Sequence, residues 1–533
     1  MNDAGCPLYL IGCGPNDAAP GPVGELGFKA HNLARLARLG VAVPPAFVLG
    51  TGWCRAFRAR GGVLPDDARP ALLAALRQLE SASGLGFGSA RRPLLVSVRS
   101  GAPVSMPGMM ETVLNVGLCE ATLSGLLRLT GNPRLVWDSY RRLIECYAET
   151  VAGLPAEPFA AARHAALAAA GVETLAALDF RALRALAARE LELYATAAGQ
   201  PFPQAPLAQL EQAVGAVLRS WDGTKARWYR TAHGIDDGLG TAVTVQRMVF
   251  GNAGGTSGAG VGFTRDPATG AAELYVDYAA NAQGEDIVAG RTALAGGAGT
   301  GSLPEALADE LAELAQLLEH EFRDAQEFEF TVENGALYVL QTRDAKRTPL
   351  AALAIAVALA EAGIVTPAEA RARLADLDPA QLETVEVEGA AAHVPLATGV
   401  AASVGVAAGI AVFDPARAIE RATAGAAVIL LRPEVATGDI AALESAAGLV
   451  AARGARTSHA AVVARQLGKP CIVGCAALEI DADGRAARLG ARRISEGEQL
   501  TIDAASGCVY AGTLPVVRRR PDELFKRLAA LGA

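Results

Sequence analysis

The sequence predicts a multidomain fold of mixed α/β and α+β class, and three observations carry this. A chain of 533 residues exceeds what one hydrophobic core organises, since domains run at roughly 100–200 residues each. Strand-like patterning at both ends of the first 345 residues encloses a block, about 120–220, whose Ala/Leu/Arg spacing is helical. From 395 to 513 short apolar runs alternate with helical ones, as in a compact α/β domain. The expected organisation is therefore 1–345 as a first unit with a helical insertion, 346–394 as a helical segment and linker, 395–513 as a second domain, and 514–533 as a C-terminal tail.

Residues 24–40, GELGFKAHNLARLARLG, carry Leu33, Leu36 and Leu39 near helical spacing, and Val43-Pro44-Pro45 ends that helix and starts a strand. Lys29 falls beside a Gly-containing turn at the helix start. Residues 94–118 read strand, loop, strand: LLVSVRS, GAPVSMPGMMET, VLNVGL. After the helical block, strands return at Val243–Phe250, Gly260–Thr264 and Leu274–Tyr278, the first two joined by GNAGGTSGAG. The amphipathic run 303–325 predicts a helix, and EFEFTVENGALYVLQTR predicts a hairpin turning at Asn334-Gly335. Residues 349–378 read as a helical pair, the second opened by the capping box Thr366-Pro367-Ala368-Glu369. QLETVEVEGAAAHVPLA has no helical period, which places a linker at about 380–394. AAVILL, GLVAARG, CIVGC, QLTID and CVYAG then read as strands, and the last residues as a helix after a basic turn.

Composition narrows the partners. With 48 Lys+Arg against 56 Asp+Glu the net charge is −8 and the pI about 5.5, so no global field draws in nucleic acid. The eight cysteines are scattered without paired CxxC motifs at zinc spacing, which suits a reduced, cytoplasmic chain. The start, MNDAGCPLYLIGCGPNDAAPG, lacks the basic flank of a signal peptide. The uncharged run Val394–Phe413 is broken by Gly399, Ser403, Gly405 and Gly409 and is expected to form buried strands and turns, not a membrane span.

Two constellations suit chemistry. In RGARTSHAAVVAR, Thr457 and Ser458 are N-cap types, which puts His459 in the first turn of a helix running to Gly468. Backbone N–H groups and the positive end of the helix dipole disfavour imidazolium there but stabilise an anionic phosphoryl group on the ring. His459 thus reads either as a neutral nucleophile that becomes phosphorylated or as a packing histidine. Lys29, Arg99 at the end of LLVSVRS, and the glycine-rich loop 251–260 form a set suited to a polyphosphate. The acidic residues Asp277, Glu285, Asp286, Glu327 and Glu329 make sense beside such cations if Mg²⁺ lies between them, or else form a solvated acidic face. Glu329 sits between Phe328 and Phe330, with Gln341 and Arg343 across the hairpin.

VSVRSGAPVSMPGMMETVLNVGL, QRMVFGN, GFTRDPATG, NAQGEDIVAG, LYVLQTRDAKRT and TSHAAVVAR together resemble the signature stretches of pyruvate phosphate dikinase, in the same order, from about residue 22 to 513. The resemblance implies an ATP-grasp nucleotide-binding unit followed by a swivelling α/β phosphohistidine domain. It further implies transfer of the ATP β-phosphoryl to His459, with the γ-phosphoryl passed to inorganic phosphate, giving AMP and pyrophosphate. Carried over by motif, Lys29, Arg99, Asp277, Glu285, Gln341 and Arg343 contact ATP or phosphate, Glu327 and Glu329 hold Mg²⁺, and Arg99, Arg343 and His459 are catalytic.

Three departures stand out. Only about twenty residues follow the motif run, so the family's pyruvate-phosphorylating barrel is expected to be missing, with the acceptor on a separate barrel protein or another molecule. Asp277 stands where the family has Glu, and the Lys29 turn reads GFKAHN rather than GGKGAN. Ala455 and Arg456 replace Gly and Met, so Arg456 is either a surface residue or a cation near the phosphohistidine. The alternatives are a water-dependent dikinase, a small-molecule phosphotransferase of the same superfamily, and a non-catalytic nucleotide-binding phosphocarrier. A hinge is expected at 380–394, and the free protein is expected to be able to hold His459 tens of ångströms from the nucleotide pocket.

Overall fold

The computed structural model describes residues 6–14, 17, 21–104, 106, 109–288, 303–375, 377, 382–435, 439–454, 456, 458–481 and 483–531, without the side chains of Glu285, Val288, His459 and Ala460. The readings on Ser105, Pro107, Gly108, residues 289–290, 380–381, Ala455 and Thr457 lie outside the described residues. The chain forms two compact units, one of Met1–Ser257 with Val332–Thr342, the other of Gly258–Thr331 with Arg343–Ala533.

In the first unit a five-stranded antiparallel sheet runs in the order Leu8–Ile11, Ala46–Leu49, Ala242–Arg247, Val96–Gly101, Thr112–Val116. The expected helical block is present as six helices between Glu120 and Ala232. Local sequence places their ends. The Asn132 side chain accepts from the Leu135 N–H ahead of Pro133, and Asp179 does the same for Ala182. Gly171 and Gly199 close two of the helices in the left-handed conformation. The core joins Phe47, Trp53 and Val98 of the sheet side to Tyr140, Tyr147, Tyr194 and Trp221 of the helices.

A buried charged cluster lies inside this block. Arg141 bridges Asp138 at 2.9 Å and Glu145 at 2.8 Å, and Arg163 reaches Glu145 at 2.6 Å. Glu190, fully buried beside them, is pushed up to about 10 by burial and then by the Glu145 carboxylate, against Arg141 and Arg163. It therefore folds as the neutral acid. Because the folded value lies above the ordinary 4.5, this group's contribution to stability is complete below about pH 4.5 and is lost as pH rises towards 10. Glu190→Gln, which keeps the neutral shape, is expected to stabilise this unit by about 2–3 kcal/mol at pH 7. Scanning calorimetry should show the variant's Tm advantage widening from pH 5 to pH 9; a constant advantage would contradict the assignment.

A four-stranded sheet runs in the order Ala336–Asp344, Gln326–Glu333, Gly258–Phe263, Tyr275–Ala280, with its hairpin residues Val332–Thr342 counted in the first unit and the rest in the second. The expected hairpin turns at Asn334 (φ 52°) and Gly335 (φ 86°), and the helix expected at 303–325 runs Glu305–Phe322. The glycines of GAGVGF have a packing cause. A Cβ on Gly260 would stand 2.5 Å from the Phe330 ring, and one on Gly262 2.3 Å from Phe328. One face of this sheet is thus aromatic, with Tyr278 stacked on Phe330.

Residues 395–513 contain the expected α/β arrangement. An eight-stranded sheet includes the parallel run Val406–Val412, Val428–Arg432, Gly448–Ala451, Cys471–Val473, with Gln499–Asp503 and Cys508–Ala511 antiparallel beyond its first strand. A separate three-stranded sheet, Leu478–Ile480, Ala486–Leu489, Arg492–Ser495, was not foreseen. Nor is the stretch at 380–394 without structure: Thr384–Val387 pairs antiparallel with Val516–Arg519. Beyond that strand the terminal helix Asp522–Ala530 sets Leu524, Phe525 and Leu528 against Leu353 and Val357 of helix Pro349–Glu361. Arg527 is bound to both Glu361 oxygens, at 2.9 and 2.6 Å. Among the described residues no helix is long and apolar enough to cross a membrane.

Candidate functional site

The first unit carries Lys29, Arg99 and Gln341. Lys29 lies in helix Val23–Arg38, which is interrupted at Gly27 (φ 73°). A Cβ on Gly27 would meet the Gly101 oxygen at 2.1 Å, and the Phe28 N–H donates to the Ala102 oxygen at 2.9 Å. Only glycine allows this turn to dock on the end of the strand that carries Arg99. Arg99 is half-buried, in register with Thr112 on one side and Thr244 on the other. One turn beyond Lys29, the buried Asn32 donates to the Thr342 oxygen at 3.1 Å, next to Gln341. The elements bearing the three residues are therefore bonded to one another through Gly27, Phe28 and Asn32.

The glycine-rich loop lies elsewhere. Gly335 N–H donates to the Thr256 oxygen and Asn334 N–H to Ser257 Oγ, both at 3.0 Å, so the loop is fastened to the hairpin turn. Gln341 lies six positions beyond Gly335, along the strand that starts at Ala336, about 20 Å at 3.3 Å per residue. Open space surrounds Gly254 and Gly255. The loop caps the hairpin and does not join Lys29 and Arg99.

The second unit carries Asp277, Glu285, Glu327, Glu329, Arg343 and His459. Strand alternation puts Glu327 and Glu329 on the face opposite Phe328 and Phe330. Asp277, register partner of Val261, occupies that same face and accepts from the Tyr275 hydroxyl at 2.7 Å. Arg343 reaches the buried Glu327 at 2.5 Å. Burial opposes the Arg343 charge, but Glu327 and then Glu329 outweigh it and raise its pKa. Glu285 lies on the short helix Gly284–Val288, its side chain outside the described residues.

His459 is the first residue of helix His459–Gln466, after Ser458 in extended N-cap conformation. The His459 side chain lies outside the described residues. The helix is held on the carboxylate face. Arg456 Nη1 donates to Asp266 Oδ2 at 3.1 Å, and its guanidinium carbon stands 4.6 Å from the centre of the Tyr275 ring. Arg465, 1% exposed, stands 5.5 Å over Phe263. The surface reading of Arg456 is thereby replaced, since only 13% of its side chain is exposed. The helix is packed on this sheet and not tens of ångströms from it. Asn32, Asp266, Tyr275 and Arg465 were not singled out in the sequence; GFTRDPATG contained Asp266, but no local signal linked it to a partner 190 residues away.

The donor set suits Mg²⁺ bound with a nucleotide. Glu327 and Glu329 place two carboxylates on one face, and among the described residues no group of three or more His, Cys, Asp or Glu forms an all-protein cage. Mg²⁺ is commonly held by one or two carboxylates with substrate phosphates completing its shell.

Residues 60–294 match the family described as pyruvate phosphate dikinase, AMP/ATP-binding domain, and residues 425–507 match PEP-utilising enzyme, mobile domain. The chain is 40% identical over 527 residues to pyruvate, phosphate dikinase of Rhizobium meliloti (strain 1021), covering 96% of this chain and 58% of that protein. It is 40% identical over 515 residues to pyruvate, phosphate dikinase of Clostridium symbiosum, covering 94% and 58% respectively. Against pyruvate, phosphate dikinase 2 of Zea mays it is again 40% identical over 515 residues, covering 96% and 58%. The chain thus spans less than two thirds of the length of these curated relatives. The chain thus carries a pyruvate phosphate dikinase AMP/ATP-binding domain and a PEP-utilising mobile domain, and it is similar to pyruvate, phosphate dikinases across nearly all of its own length.

Proposed function

We propose that the chain catalyses the nucleotide half of a dikinase reaction: ATP, phosphate and His459 give AMP, pyrophosphate and phospho-His459, and the phosphoryl group then passes to pyruvate or another acceptor. The observation that carries this reading is the helix bearing His459 packed on the sheet face that holds Asp277, Glu327, Glu329 and Arg343. The ring nitrogen of His459 attacks the β-phosphorus, the bond to the α-phosphate oxygen breaks, and AMP leaves. Inorganic phosphate takes the γ-phosphoryl as pyrophosphate, leaving the β-phosphoryl on the ring.

The residues divide the work by charge. Arg99 and Arg343 offset negative charge on the phosphates as bonds change, while Lys29 and Gln341 orient them. Mg²⁺ held by Glu327 and Glu329 supplies further neutralisation of the phosphate oxygens. Asp277, fixed by the Tyr275 hydroxyl, and Glu285 complete the polar set around the nucleotide. The N-terminal turn of the histidine helix favours neutral imidazole before transfer and the phosphoryl anion after it.

Incubation with ATP, Mg²⁺ and phosphate is expected to give AMP and pyrophosphate, with a burst stoichiometric with the chain when no acceptor is added. Orthophosphate release without added phosphate would favour the water-dependent alternative, and ADP as the nucleotide product would overturn both.

A further inference from the structure

Two contacts run through Arg456, one to Asp266 in the turn after strand Gly258–Phe263 and one to Tyr275 of the carboxylate sheet, and the reaction above gives this residue no role. Its partner is built to receive it. Asp266 Oδ1 accepts from the backbone N–H groups of Ala268 and Thr269, at 2.7 and 3.1 Å, which leaves Oδ2 for Arg456 Nη1 at 3.1 Å. From its own side Arg456 is fixed by Arg465, whose Nη1 donates to the Arg456 and Ala402 oxygens at 2.8 and 2.9 Å. The Arg456 guanidinium also covers the ring of Tyr275, whose hydroxyl holds Asp277. A cation three residues before His459 is thus tied to the strand that carries a proposed nucleotide contact.

We propose that Arg456 is a releasable latch: a positioning residue that pairs with Asp266 and Tyr275 to hold the His459 helix against the carboxylate sheet for transfer from ATP, and lets go for delivery to the acceptor. This rests on the phosphohistidine reading above. Release is built into the same face. Arg465 is 1% exposed, its Nε and Nη2 meet no hydrogen-bond acceptor among the described residues, and burial lowers its pKa against the opposing charge of Glu327. Buried N–H groups without acceptors are unfavourable, and undocking would hydrate them. One attractive pair and one penalised cation on a single face keep the docked state from becoming permanent.

The test compares Arg456→Met and Asp266→Asn, the latter keeping the Oδ1 acceptor of the turn, with the parent chain. Spin labels at Asp309→Cys and Glu420→Cys, both exposed positions, are placed in a background with Cys6, Cys13, Cys146 and Cys508 replaced by serine, the other four cysteines being buried. The parent should give one dominant label distance, and each variant a broadened or longer distribution. Single-turnover phosphorylation of His459 at saturating ATP should fall by up to about 10²-fold, the scale of a small misplacement of reacting groups, with nucleotide affinity unchanged. Arg456→Lys should recover part of both signals, and the double variant should be no worse than the weaker single one, because both remove the same contact. Unchanged distances, or changed distances with a parental phosphorylation rate, would overturn the latch. A parent chain that ATP never phosphorylates would instead overturn the phosphohistidine reading, while the distances would still decide whether Arg456 holds the helix.

Discussion

His459→Ala is expected to abolish retention of label from β-labelled ATP, while the folded state and nucleotide binding persist. The ring is the one proposed nucleophile, and removing the attacking group eliminates the covalent step rather than slowing it. The fold should tolerate the change. The helix is started by the extended backbone of Ser458, and the packing of its buried face rests on Ala461 and Ala464 in a core with Cys471 and Val473. Alanine also has high helix propensity. Circular dichroism and binding of a non-hydrolysable nucleotide should match the parent, and label surviving in the variant would move the carrier role to another residue.

Arg343→Ala is expected to slow phosphorylation of His459 by about 10²–10³-fold, the usual loss when one preorganised charge is removed from phosphate or oxyanion stabilisation. Arg343 differs from a surface arginine in being largely enclosed and bonded at 2.5 Å to Glu327, itself 4% exposed. Its loss leaves a buried carboxylate without that cation, so stability should fall as well. Arg343→Lys separates the two effects: a lysine keeps a charge beside Glu327 but cannot make the planar, forked contact of a guanidinium. The expected result is stability near the parent with phosphorylation still slowed at least tenfold. Lysine restoring the full rate would reduce Arg343 to a structural partner of Glu327.

What the sequence disclosed and what it withheld divide by the range of the interactions. The turn at Asn334-Gly335, the capping box at Thr366 and Glu369, and the helix Glu305–Phe322 follow from residues within a few positions of one another. Arg343 was legible as lying across the hairpin from the acidic strand, where Glu329 was the residue set opposite it; the carboxylate it bonds is Glu327. By contrast, Thr384–Val387 looked like linker because its strand partner begins at Val516. Nothing local to KAHN indicates that Asn32 will bond Thr342, 310 residues away. The glycines of 251–262 misled because a phosphate cradle, a hairpin cap and room for Phe328 and Phe330 all require the same residue. Arg456 was legible as an unusual cation but not as a buried one, because Asp266 and Tyr275 are brought to it only by the tertiary fold.

The most direct measurement follows both phosphorus atoms of one ATP. The chain is incubated with Mg²⁺, phosphate and ATP labelled at either the β or the γ position, and the protein and the small molecules are then separated. The account predicts acid-labile β-label on His459, γ-label in pyrophosphate, and AMP as the remaining nucleotide. Retention of the γ-label on the protein together with release of the β-label in ADP would mean an ordinary γ-phosphoryl transfer, and would contradict the dikinase reaction proposed for this chain.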